Sequence, residues 1–138
     1  MATDTAGNQG QAYHTNQVHY LAKTITFADD GDTVVVGYLP PGAVVIPGIS
    51  GIAVNTIFNG GSTNTCDIGI TGSTTKYASA LALGTLGWIE LDVITESSGT
   101  ALATTAEEEV IATVVSTASA STGSATVIVA YVIPEGSR

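Results

Sequence analysis

The sequence predicts an all-β protein: an antiparallel β-sandwich or jelly roll with an extended N-terminal arm. Short runs of β-branched or alternating apolar residues recur along the chain, and clusters of Gly, Ser, Thr, Asn and Asp separate them. Helical periodicity is weak throughout. The chain has 138 residues, 44% of them hydrophobic, which is enough for one domain with its own core.

The elements follow in order along the chain. Residues 1–18 are polar and lack apolar periodicity, so we expect an extended or flexible arm there and a single sandwich domain over 19–138. A helix over 103–112 is disfavoured because the β-branched residues that follow its glutamates suit a strand better. The segment 71–79 is predicted to be a loop, and the glutamates 107–109 a solvated turn. The predicted strands cover residues 21–27, 33–39, 44–46, 51–58, 66–70, 86–94, 109–116 and 125–133.

The segment YLPPGAVVIPG, residues 38–48, contains three of the four prolines. Proline cannot donate to a β-ladder and is mostly confined to edges, strand starts and bulges. Pro40 and Pro41, followed by Gly42, are therefore predicted to turn the chain at a corner of the sandwich. A new strand begins at Val44, and Pro47 interrupts it. Such a strand belongs at an edge or a bulge, where proline also discourages unwanted edge pairing.

The only tryptophan lies in a strand with a clear alternation. In residues 86–94, Ile89 and Leu91 share one face, whereas Trp88 and Glu90 share the other. If the apolar face is the core, Trp88 points outward, and exposed tryptophans are enriched at binding hot spots. The alternative is that Trp88 lies at a strand end and folds back over the sheet edge.

The charge pattern excludes several classes of partner. The net charge is −9, and the three strong cations, Lys23, Lys76 and Arg138, are scattered. Direct binding to nucleic acid or to an anionic membrane needs clustered cations, so neither is expected. The sequence has no apolar run long enough to span a membrane and no signal-peptide pattern at its N-terminus, so we expect the protein in a cytoplasm or in something assembled there. Because charged residues make up only 11%, we expect a partner to cover much of the surface.

No catalytic motif is recognisable, and neither an enzymatic activity nor a cofactor is expected. His14 and His19 lie in or beside the polar arm, where a general base would have no fixed position. Cys66 is the only cysteine, and we expect a small buried residue rather than a reactive thiol. Carboxylates on a tight turn can bind calcium, but a solvated hairpin turn is the preferred interpretation here. This weak metal candidate consists of Asp29, Asp30 and Asp32.

Two stretches, residues 28–70 and 127–136, resemble head decoration (cement) proteins of tailed bacteriophages. One element of the resemblance is the pattern Gly-x-Leu-Pro-x-Gly-Ala-Val, which begins at Gly37. The others are a Phe-Asn-x-Gly loop from Phe58, an Asp-Ile-Gly strand from Asp67 and a closing apolar strand that ends in Pro134. The matching residues belong to elements that support the fold of such proteins and form no catalytic signature. The resemblance therefore supplies no active-site residues.

The resemblance implies a structural virion protein on the outer surface of the head. It implies a subunit, commonly a homotrimer, that binds the major capsid protein and stabilises contacts between neighbouring capsid subunits. The alternative is a jelly-roll module of a phage tail or fibre that binds glycans or a receptor, with exposed aromatic residues around Trp88, Tyr77 or Tyr13. The expected partner-binding residues are Tyr13, His14, Val18, His19, Tyr20, Pro40, Pro41 and Trp88.

Overall fold

The structure is a computed structural model that describes residues 17–93 and 106–133. Tyr13, His14 and nearly all of the expected arm lie outside these ranges. Of the disfavoured helix, 103–105 lie outside them and 108–112 form part of a strand, as expected. Two 3-10 helices, Phe27–Asp29 and Pro47–Ile49, are present, and within the described ranges no helix is long and apolar enough to cross a membrane. The strands are β1 His19–Thr26, β2 Thr33–Leu39, β3 Val44–Val45, β4 Gly51–Thr56, β5 Asn64–Ile70, β6 Ser73–Ala82, β7 Gly87–Glu90, β8 Glu108–Ser116 and β9 Ser124–Val132.

The strands form two antiparallel sheets with the order of a jelly roll. The first sheet has the order β1-β9-β4-β7, with β3 also paired to β9, and the second has the order β2-β8-β5-β6. The pairs β1–β9, β2–β8, β4–β7 and β5–β6 are those of one long hairpin folded into two layers. The predicted antiparallel sandwich of jelly-roll type is therefore confirmed.

The core lies between the two sheets. In strands such as β1 and β9, every second residue points inward, as the period of two predicts. In β1 and β9, for example, Ile25 lies opposite Ala125, and both are fully buried. The largest fully buried side chains come from both sheets and from the connecting loops: Tyr77, Phe58, Ile25, Leu39, Ile52, Ile68, Leu83 and Leu91. Cys66 is also fully buried, as the sequence predicted.

The proline segment forms the corner that the sequence predicted. The amide of Ala43 donates to the carbonyl of Pro40 at 3.2 Å, and Gly42 has a φ of 81°, so the chain makes a tight reverse turn from the second sheet to the first. After β3, Pro47 begins a one-turn 3-10 helix. Strands β3 and β4 both pair with β9, so this helix is a bulge within one interrupted strand.

Ser50 replaces the backbone pairing that is lost at this bulge. Its side chain is fully buried, and its hydroxyl oxygen accepts the amide of Ala130 in β9 at 2.8 Å. The same hydroxyl donates to the carbonyl of Ile46 at 2.6 Å. A buried backbone amide without a partner is costly, so this serine makes the proline interruption tolerable. The sequence analysis did not single out Ser50.

Two predictions in the second sheet were wrong. The predicted loop 71–79 is mostly strand β6, an edge strand rich in Ser and Thr on its solvent side. The predicted solvated turn 107–109 enters β8 at Glu108, whose side chain is buried. Glu108 lies opposite the buried Leu39 and so faces the core, where the sequence gives no reason to expect a carboxylate.

Candidate partner-binding surface

Several of the predicted partner-binding residues come together at one end of the sandwich. Strand β1 begins at this end with His19, and β2 finishes there immediately before Pro40. A Cβ on Gly37, near the end of β2, would lie 2.9 Å from the side chain of Leu21, near the start of β1. We call this end, where β8 begins and β9 finishes as well, the terminal end.

The terminal end exposes apolar side chains. Val18 is 54% exposed and Tyr20 69%, and Pro41 is also exposed. His19 is half-buried, and its ring lies 5.6 Å from the ring of Tyr131. The stretches 1–16, 94–105 and 134–138, which the structure does not describe, all join the described chain at this end. Five of the residues expected to bind a partner therefore lie near one another: Val18, His19, Tyr20, Pro40 and Pro41.

Trp88 lies apart from the terminal end, on the outward side of the first sheet. Its side chain is 45% exposed, whereas Leu91 is fully buried and Ile89 packs against the core. The prediction that Ile89 and Leu91 face the core while Trp88 faces outward is therefore confirmed. Trp88 lies opposite Ala53 in β4 and belongs to the edge strand β7.

The outward side of the first sheet, here called the outer face, is poor in charge. The register directs small or apolar side chains to it from three strands, and Tyr20 and Trp88 lie near its two edges. Glu90 is its only charged residue among the described ones. A partner could cover this surface with little cost from desolvating ions. The side chains of the outer face are Tyr20, Ala22, Thr24, Ala53, Trp88, Glu90, Thr126 and Ile128.

A buried ion pair lies inside the terminal end. Lys76 Nζ is 2.8 and 2.9 Å from the two carboxylate oxygens of Glu108, and the hydroxyl of Tyr77 donates to Glu108 Oε1 at 2.8 Å. Burial, and then the hydrogen bond to Glu108, raise the pKa of Tyr77. The group joins β6 to the start of β8, and each of the three side chains has a structural role.

A second glutamate is held on the surface beside this ion pair. Glu109 accepts hydrogen bonds from the Tyr38 hydroxyl at 2.8 Å and the Thr71 hydroxyl at 3.0 Å. The hydrogen bond to Glu109 raises the pKa of Tyr38. These contacts tie the end of β2 and the β5–β6 turn to the start of β8.

Two carboxylates of the weak metal candidate accept backbone amides. Asp29 accepts the amide of Thr26 at 2.8 Å, and Asp30 accepts the amide of Ser116 at the same distance. Asp29 thereby caps the first 3-10 helix, and Asp30 joins the β1–β2 connection to β8. Within residues 17–93 and 106–133, no three metal-binding side chains come together. These two contacts give Asp29 and Asp30 structural roles.

Cys66 and Tyr77 are both fully buried, which does not fit a reactive thiol or an exposed sugar-binding aromatic residue. Burial raises the pKa of the Cys66 thiol to about 12, and the neighbouring Asp67 adds to the shift, so the reactive thiolate is disfavoured. Tyr77 is fully buried, so the expectation that it belongs to an exposed aromatic groove was wrong. Its ring packs in the core with the Lys76 ammonium 5.2 Å from the ring centre, and its hydroxyl donates to Glu108.

Comparison with known proteins gives matches only at the level of structure. No protein-family model matches the chain, and no curated protein does. A chain of the capsid asymmetric unit of cyanophage Pam1 is similar, with 26% sequence identity and a TM-score of 0.57 over 86% of this chain and 84% of that one. A chain of the acidic stable capsid of Helicobacter pylori bacteriophage KHP30 shares the fold, with 16% identity and a TM-score of 0.52 over 86% and 89%. The structural neighbours of this jelly roll are thus chains of bacteriophage capsids.

Proposed function

We propose that the protein is a structural, non-enzymatic subunit of a bacteriophage capsid that decorates the outer surface of the head. The observation that carries this proposal is the likeness to a cyanophage capsid chain over 86% of the length. The elements that resemble decoration proteins support it. In this function the subunit binds the major capsid protein and raises the cost of separating neighbouring capsid subunits.

The terminal end is the surface that we assign to the shell. It combines exposed apolar side chains with a rigid base, because the Lys76–Glu108 ion pair and the Glu109 hydrogen bonds fix its strands. Residues 1–18 lead into it and could lie along a capsid subunit, where an extended segment adds backbone hydrogen bonds. Pro40 and Pro41 keep the neighbouring corner from pairing as a strand edge.

The outer face is the surface that we assign to contacts between copies, in the homotrimer that the decoration function implies. Two copies with a net charge of −9 each repel, so they associate best through a face that carries few charges. The outer face meets this requirement with one carboxylate, Glu90. Trp88 projects beside the small side chains of Ala53, Thr126 and Thr24, so a large residue of one copy can pack on small residues of another.

The test is binding to phage heads from which this protein has been removed. We expect the full chain to bind expanded heads and cryo-electron microscopy to show it on the outer shell. A variant that lacks residues 1–18 should remain folded, by circular dichroism, and bind more weakly. Absence of the chain from the head shell would refute the function, whereas undiminished binding of the truncated variant would remove only residues 1–18 from the mechanism.

A further inference from the structure

The loops at the end opposite the terminal end are held together by a set of side-chain hydrogen bonds. Asn59, which follows the buried Phe58, accepts the amides of Ser121 and Thr122 on its Oδ1 at 2.8 and 3.1 Å. Its Nδ2 donates to the hydroxyl of Ser121 at 2.9 Å. A single asparagine therefore fastens the β4–β5 loop to the β8–β9 loop.

Gly60, the next residue, is fixed from the other side. Its amide donates to Oδ1 of Asn64 at 2.8 Å. The same Oδ1 accepts the hydroxyl of Ser116 at 3.0 Å. A Cβ on Gly60 would lie 2.6 Å from the carbonyl oxygen of Ala118, so only glycine fits this position. We call Asn59, Gly60, Asn64 and the residues they bond the loop clamp.

An asparagine followed by glycine is the dipeptide most prone to spontaneous deamidation, since glycine has no side chain to hinder the reaction. The backbone nitrogen of the glycine attacks Cγ of the asparagine, and a new N–Cγ bond forms. The Cγ–Nδ2 bond breaks, and ammonia leaves with the proton of the former amide. Water then opens the cyclic imide at either carbonyl to give aspartate or isoaspartate, with no change in oxidation state.

We propose that Asn59 is a latent deamidation site that the loop clamp holds inactive, so that isoaspartate at this position records opening of the clamp. The nucleophile would be the nitrogen of Gly60, whose hydrogen is donated to Asn64 in the closed clamp. Meanwhile the side-chain carbonyl of Asn59 is held on the opposite loop by two amides. The attack therefore requires the Gly60–Asn64 bond to break first.

The two products have different consequences for the fold. Aspartate keeps an oxygen for the amides of Ser121 and Thr122, and the Ser121 hydroxyl can turn to donate to the second oxygen. Isoaspartate routes the backbone through the former side chain, which lengthens the chain beside Gly60, where a Cβ already has no room. The isoaspartyl form cannot close the clamp again, so each opening that leads to reaction leaves a permanent mark. This inference holds whatever the chain binds.

The experiment follows isoaspartate at residue 59 by peptide mapping and mass spectrometry after incubation of the full chain at neutral pH. In urea, where the loop clamp is open, isoaspartate should form at residue 59 at least tenfold faster than in buffer. A tenfold difference in rate corresponds to a free energy of clamp opening of about 1.4 kcal/mol, which is taken as the lower bound. Asn55, which precedes a threonine, is an internal reference in the same digest. Equal rates at residue 59 in buffer and in urea would overturn the proposal.

A matched pair of variants tests the role of the Gly60 amide. Asn64→Ala removes the acceptor and should speed the reaction about fivefold, the rate equivalent of one net hydrogen bond of about 1 kcal/mol. Asn64→Asp keeps an oxygen for the Gly60 amide and should react within about twofold of the wild type, well inside the effect of one hydrogen bond. If Asn64→Ala and Asn64→Asp deamidate at the same rate as each other, loosening of the loop controls the reaction and release of the Gly60 amide does not. The proposal that the Gly60–Asn64 hydrogen bond blocks deamidation would then be wrong. If Asn64→Ala does not fold, the comparison in urea still decides the main proposal.

Discussion

Replacement of Glu108 by leucine should destabilise the protein by about 3–5 kcal/mol, as breaking a buried ion pair from one side usually does. The Glu108 side chain is only 5% exposed, and it accepts hydrogen bonds from the Lys76 ammonium on both oxygens and from the Tyr77 hydroxyl. Loss of the acceptor for the buried Tyr77 hydroxyl accounts for roughly 1–3 kcal/mol. The rest comes from the Lys76 ammonium, which loses the Glu108 carboxylate as a partner while 16% exposed.

Two further variants separate these contributions. Glu108→Gln keeps an oxygen that the Tyr77 hydroxyl and the Lys76 ammonium can both reach, so its cost should be clearly smaller. The double variant Lys76→Met/Glu108→Leu removes both charges, and its cost should fall below the sum of the single variants by roughly 0.5–3 kcal/mol. Replacing both members of a buried pair by apolar residues is often close to neutral.

The assay is urea unfolding at neutral pH, followed by circular dichroism and by the fluorescence of Trp88, the single tryptophan. With a slope of about 2 kcal/mol per molar urea, a loss of 4 kcal/mol lowers the midpoint by about 2 M. A midpoint shift below about 0.5 M for Glu108→Leu would refute the reasoning, since it would mean that the carboxylate is not buried with its two partners.

Three other predictions follow from the described contacts. Stability should fall as the pH rises above 9.0, the ordinary pKa of a thiol, because the folded state raises the pKa of Cys66 to about 12 and retains a proton that the unfolded chain releases. In Cys66→Ala, the free energy of unfolding should decrease with pH less steeply, by about 1.4 kcal/mol per pH unit. Urea titrations at successive pH values measure this slope. Gly123→Ala should destabilise the protein by roughly 2–4 kcal/mol in thermal unfolding, because its Cβ would lie 2.6 Å from the buried Phe58 ring and its φ is 149°. Gly84→Ala is the matched control and should barely change stability, since a Cβ there has no atom within 4 Å. Thr126→Lys on the outer face should weaken self-association in analytical ultracentrifugation, whereas Val115→Lys on the other sheet, with the same change of charge, should not; equal behaviour would contradict the assignment of the outer face.

The strand pattern was predictable because it depends on local chemistry. Alternation in residues 86–94 placed Leu91 inward and Trp88 outward, and the structure agrees. The turn at Pro40 and Pro41 was predictable for the same kind of reason, since proline cannot donate and Gly42 can take a positive φ. Each of these inferences uses only neighbouring residues.

The candidate site was predictable only in part. The sequence pointed to Val18, Tyr20 and Trp88 as partner-binding residues, but it could not show that Tyr20 and Trp88 lie near opposite edges of one sheet face. Their separation depends on β9 and β4 lying between β1 and β7, which is a matter of long-range pairing. A strand's neighbours are set by loop closure and core packing across the whole chain and not by its own residues.

By itself, the sequence determined that this chain is built of short strands, where it turns and which side of most strands is apolar, since β-branching, proline geometry and a period of two are local properties. Only the tertiary structure decided that Glu108 is a core residue, since its burial requires Lys76 and Tyr77, some thirty residues earlier in the chain, to reach it. The same holds for Ser50, whose hydroxyl is needed because β9 runs beside a bulge. Buried polar groups become stable only when distant partners satisfy them, and those partners meet only in the folded chain.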